Sequence, residues 1–109
     1  MTDNVNVRFG KGLLASAKVR VQGGYIEVKG APMQEKVRVP LRLVRGAVAQ
    51  RANVRRGYGS WNTPVVVLVG EGGPIGRAVL ANGQYGAAEE AVGWINTYLH
   101  SHGVGEAPQ

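Results

Sequence analysis

The chain has no cysteine, so neither a disulfide nor a thiolate metal site can staple it. It has no apolar run approaching the ~18 residues of a membrane-spanning helix. Aspartate occurs once, at Asp3 near the start, and histidine twice, at His100 and His102. A nucleophile–base–acid set would have to combine those three, and Asp3 sits in a loose terminus. Two residues apart, the histidines do not share a helix face, and no third ligand accompanies them. Glu89 and Glu90 point to different faces of the helix they occupy, so they fit dipole complementation better than a catalytic carboxylate pair. Phosphate-binding loops are missing as well. In Gly70-Glu71-Gly72-Gly73-Pro74-Ile75-Gly76 the last position of G-x-G-x-x-G falls on Ile75, and no long helix follows. Gly10-Lys11 lacks both the four-residue spacing and the Ser or Thr of a P-loop. The sequence therefore predicts a protein that is not an enzyme and uses no cofactor or metal. The lack of cysteine fits a reducing compartment. The first residues show no basic stretch followed by an apolar one, so the expected location is the cytoplasm.

What the chain does have is positive charge, glycine and alternation. Thirteen Lys and Arg oppose seven Asp and Glu, giving a net charge of +6. That balance favours acidic proteins, nucleic acid or anionic lipid as partners. Seventeen glycines lie scattered between short apolar runs, as turns would. Val5–Phe9, Leu13–Val21 and Tyr25–Lys29 read as strands, with Gln22-Gly23-Gly24 as a hairpin turn reaching positive φ. Lys36–Leu43 has the cleanest alternation: Val37, Val39, Leu41 and Leu43 point one way, Lys36, Arg38, Pro40 and Arg42 the other. Pro40 cannot donate to a ladder, so this strand lies at an edge there or ends there. Gly46–Gln50 is a fifth strand, Val65–Val69 a sixth covered on both faces, and Arg77–Leu80 a seventh. Arg51–Thr63 reads as a flexible loop.

Tyr85–His102 carries the only strong helical period. Ala88, Ala91, Val92, Ile95, Tyr98 and Leu99 form one apolar stripe, Trp94 sits on its shoulder, and Glu89, Asn96 and Thr97 face away. Gly86 is the expected N-cap, with Glu89 and Glu90 in a first turn whose dipole favours negative charge, and Gly103 the expected stop. A lone helix of this length is marginal in water, so the stripe needs a partner surface. The predicted fold is α+β and mainly β: a bent antiparallel sheet or partly open barrel of about seven strands, capped by one C-terminal helix. One domain spans 1–109, with an ordered core over about 5–102 and tails at 1–4 and 103–109.

The strand Val37-Arg38-Val39-Pro40-Leu41-Arg42-Leu43-Val44, the Val65–Val69 strand and the closing Ala87–Leu99 helix bearing Trp94 resemble the pleckstrin-homology-like (PH-like) superfold in its short bacterial form. The resemblance spans nearly the whole chain and rests on pattern. It implies a binding module for peptides, lipids or other domains. Lipid-binding members cluster Lys and Arg in the first hairpin, whereas here that turn carries only Lys11, with Arg8 and Lys18 nearby; inositol-phosphate recognition is not expected.

The residues singled out for binding are Arg51, Arg55, Arg56, Tyr58 and Trp61. Guanidinium groups make bidentate contacts to carboxylate or phosphate, and nearby rings can stack on bases or fill a partner's pocket. The alternating stripe Lys18, Arg20, Lys36, Arg38 and Arg42 extends this basic surface or forms a solvated sheet face. The expectation is an interaction module for a protein partner with an acidic surface; the alternative is nucleic-acid binding through the Arg/Tyr/Trp loop. An anionic membrane fits less well, because the closing helix has no Lys or Arg. Exposed strand edges would also support a homo-oligomer.

Overall fold

Period-two alternation of β-branched residues produces seven antiparallel strands, and the computed structural model describes them over residues 4–10, 17–56 and 59–102, with the backbone alone at 55 and 56. β1 (Asn4–Phe9), β2 (Ala17–Gln22), β3 (Tyr25–Lys29) and β4 (Val37–Pro40) form one sheet in chain order. β5 (Gly46–Arg56), β6 (Gly59–Gly70) and β7 (Gly73–Val79) form a second. α1 (Tyr85–Ser101) closes the structure. The expected tails at 1–3 and 103–109, the Leu13–Ser16 part of the second strand and the Gly103 stop lie outside the described residues; Asn4 already belongs to β1.

Short turns set the register. Gly23 and Gly24, both at positive φ (60° and 82°), make the two-residue turn that pairs Gln22 with Tyr25. In the first sheet Val19, Val21, Ile26 and Val28 turn inward and are fully buried. Val66, Leu68 and Ala78 face them from the second sheet, and Ala88, Ala91, Ile95 and Leu99 fill the gap from α1. Each large side chain so buried contributes about 1.5–3 kcal/mol.

The sheets do not close into a barrel but meet along a seam. Ala31 N–H donates to Val79 O, Val79 N–H donates to Glu35 O (both 2.9 Å), and Arg45 N–H donates to Val69 O at 2.7 Å. Gly30 makes that approach possible. A Cβ there would overlap Val79 O and stand 2.9 Å from Val79 C.

Three local expectations change. The segment 51–63 is not a loop: β5 and β6 continue as one ladder from Gly46↔Val69 to Arg56↔Gly59, because alternation persists through Ala52 and Val54 opposite Thr63 and Trp61. The alternating run at 36–43 ends at Pro40, and Leu41–Leu43 turns as a 3-10 helix. Pro40 has no N–H to extend the ladder, and Leu41 N–H instead donates to Gly24 O at 2.8 Å. α1 begins at Tyr85 with Gln84 as N-cap, so Gly86 lies inside the helix and the first turn holds no acidic residue.

Asn96 is also relocated. Expected to face away, it accepts a hydrogen bond from Ala47 N–H at 2.9 Å and donates one to Ala47 O at 3.1 Å. One side-chain amide thus occupies both backbone groups of Ala47 on β5, an edge strand of its sheet.

Candidate functional site

Alternation that buries one face of the first sheet sends its polar residues to the other. The register aligns them in rows. Arg8, Lys18 and Lys29 stand opposite one another across β1, β2 and β3; Asn6, Arg20, Glu27 and Arg38 form the next row across all four strands; Gln22, Tyr25 and Pro40 follow. The outer face therefore carries five cations and one carboxylate. Arg20 pairs with Glu27 at 3.4 Å, an exposed contact of small energetic weight. The Arg8–Lys18–Lys29 row has no carboxylate at all. Like charges directly opposite on neighbouring strands cost roughly 0.2–1 kcal/mol per pair, which folding alone does not require.

On the β3–β4 side of this face Arg38 lies over the Tyr25 ring, 4.3 Å from its centroid. Around them is a concavity of about 390 Å³ lined by Arg20, Gln22, Gly23, Tyr25, Glu27 and Arg38. Tyr25 is also a wall of a second, about 440 Å³, that reaches Leu41 and Arg42. Arg20, Arg38 and Arg42 thus line two adjoining hollows. Planar forks of this kind suit carboxylate or phosphate oxygens.

The residues expected to form a binding loop are distributed along the β5–β6 hairpin. Arg51 lies over the ring of Tyr85, 4.5 Å from its centroid, on the side of the sheet that meets α1. Trp61 is 50% exposed and opposite Val54. Val54 packs with Val65, Val67 and Val79 on the other side of that sheet. Arg51 and Trp61 consequently do not meet. Arg55 and Arg56 continue the backbone ladder, paired with Ser60 and Gly59; their side chains, and Tyr58, lie outside what the structure describes.

His102 stacks on Tyr98, with ring centroids 4.1 Å apart, and its Nδ1 lies 2.9 Å from Tyr98 O. Tyr98 also stacks on Trp94, which meets Phe9 of β1 in a tilted contact with ring centroids 6.5 Å apart, tying the helix to the first sheet. Among the described residues no group of three or more His, Asp and Glu side chains could hold a metal ion, and no helix is long and apolar enough to cross a membrane.

The central signal for the outer face was present in the sequence. With a two-residue turn at Gly23-Gly24, Lys18 must stand opposite Lys29 and Arg20 opposite Glu27. The strand stripe already included Lys18, Arg20, Lys36, Arg38 and Arg42; Arg8 and Lys29 join it only through the register. Comparison with family models, curated proteins and solved structures finds no match for this chain.

Proposed function

We propose that this chain is a non-catalytic, PH-like interaction module whose outer basic face binds a protein partner with an acidic surface. Seven antiparallel strands followed by one C-terminal helix are compatible with the PH-like resemblance. The observation that carries the reading is the uncompensated row Arg8–Lys18–Lys29 beside the Arg20 and Arg38 guanidiniums. Oriented cations in register cost stability until carboxylates meet them, and such a surface also speeds encounter with an acidic partner.

A protein is favoured over nucleic acid by the state of the aromatic residue. Tyr25 already has the Arg38 guanidinium over one side of its ring, which leaves fewer ring faces for the base stacking that holds single-stranded nucleic acid. The hairpin residues Arg51, Arg55, Arg56, Tyr58 and Trp61 are a second part of the proposed contact.

Affinity purification from the native cells, comparing the unaltered protein with the Lys18→Glu/Lys29→Glu double variant, tests this reading. A defined acidic protein should be recovered with the first and lost with the second, while both proteins melt cooperatively. Recovery of the same partner by both would overturn the assignment. Micromolar binding to nucleic acid that weakens by roughly 0.9 log unit per log unit of salt for each phosphate contacted on duplex DNA would replace it with the nucleic-acid reading.

A further inference from the structure

The turn between β3 and β4 places an apolar side chain where folding gives no reason for one. Gln34 N–H donates to Ala31 O at 3.3 Å, closing the turn Ala31-Pro32-Met33-Gln34. Met33 occupies its third position at φ 60°. Turns with Pro second and a positive φ third call for Gly or Asn at that third position, since an L side chain there crowds its own backbone. Met33 is nevertheless fully exposed, at 101% of its reference area. It buries nothing in the folded chain.

The base of this turn is fixed. Ala31 is buried and donates to Val79 O, Glu35 O accepts from Val79 N–H, and the Glu35 carboxylate pairs with Arg77 at 3.2 Å. Met33 is therefore displayed from a platform anchored on β7. The turn begins just beyond Lys29, the last residue of β3, and ends before Lys36, so it rises at the Arg8–Lys18–Lys29 end of the basic face.

Resting on the function proposed above, we infer that Met33 is a preset docking knob: its thioether side chain enters an apolar socket on the acidic protein partner, while Lys29 and Lys36 meet carboxylates at the socket's rim. Thioether side chains are flexible and polarisable, and adapt to irregular apolar pockets. A turn whose backbone is held in place before contact loses less freedom on binding, an advantage realised against a fixed socket more than against a fluid bilayer. Charge selects against a second copy, because two chains of net charge +6 would bring the same lysines together.

The test places a photoreactive diazirine amino acid at position 33, identifies the crosslinked species in the native cells by mass spectrometry, and measures affinity for that purified protein. Relative to the unaltered chain, Met33→Gly should weaken binding about tenfold or more, the equivalent of one buried apolar side chain. The same variant should raise the thermal midpoint by a few degrees, since glycine relieves the positive φ. Met33→Leu should keep affinity within about threefold, a smaller loss than removing the side chain. Unchanged affinity in Met33→Gly, crosslinks confined to lipid, nucleic acid or a second copy, or no crosslinked protein at all would each overturn the inference. The two proposals separate cleanly. If Lys18→Glu/Lys29→Glu abolishes binding and Met33→Gly does not, the basic face stands and the knob falls; if neither variant matters, both fall.

Discussion

Replacing Asn96 by Ala is the sharpest test of how the helix closes the second sheet. The side-chain amide makes two hydrogen bonds to the backbone of Ala47, at 2.9 and 3.1 Å. Partly exposed bonds of this kind contribute about 0.5–1.5 kcal/mol each once competition with water is counted. Alanine is the better helix former by about 0.5 kcal/mol, which offsets part of the loss. The expected net destabilisation is about 1–2 kcal/mol, and for a domain of this size each kcal/mol lowers the melting midpoint by roughly 4–8 °C. Urea unfolding followed by tyrosine and tryptophan fluorescence gives the free energy, and amide hydrogen exchange at Ala47 gives the location. Exchange at Ala47 should quicken more than the global change accounts for, because its N–H loses the Asn96 Oδ1 acceptor. Should Asn96→Ala unfold at the same urea concentration as the parent and protect Ala47 equally well, the amide is not holding the edge and the argument fails.

Lys18→Glu should stabilise the free protein by roughly 0.5 kcal/mol, because it turns two like-charge contacts, with Arg8 and Lys29, into opposite-charge ones; shifted urea midpoints at low salt that converge at high salt would show it. Gly30→Ala should cost about 2 kcal/mol or more, since the added Cβ runs into the backbone of Val79, and a calorimetric midpoint equal to the parent's would refute the close approach. Thr63, which has no exposed surface, donates from Oγ1 to Leu80 O at 2.8 Å, so Thr63→Val should lose about 1–2 kcal/mol in chemical denaturation despite its similar shape. Trp61→Ala should leave the melting midpoint within a degree or two, because half of the ring already faces water, and a large drop would show that the ring supports the Val54 side of the hairpin.

Much of the architecture was legible because the chain is built from short local pairings. Alternation at 5–9, 25–29 and 37–39 marks strands whose partners are their sequence neighbours, and the apolar stripe from Ala88 to Leu99 can bury itself only against the sheets. The 51–63 hairpin escaped detection because its alternation is carried by Ala52 and Val54 against Thr63 and Trp61, amid arginine and glycine that read as loop chemistry. Its pairing is supplied by the partner strand, which a single segment does not reveal. Asn96 escaped for a similar reason: a polar residue at a solvent-facing helical position gains its role only when a strand edge arrives beside it. The basic face was visible as separate stripes, and it became one surface once the Gly23-Gly24 turn fixed the register. The strain at Met33 was invisible, since Pro-Met does not announce a left-handed backbone.

The position of α1 after every strand has a consequence for synthesis. Each sheet pairs only neighbours in the chain, so both meanders can zip up while later residues are still inside the ribosome. Until the residues around 96 emerge, however, the backbone groups of Ala47 have no asparagine to receive them. A nascent chain at that stage offers an open seam to any other unfinished strand nearby. α1, made after all seven strands, is therefore the element that covers this edge.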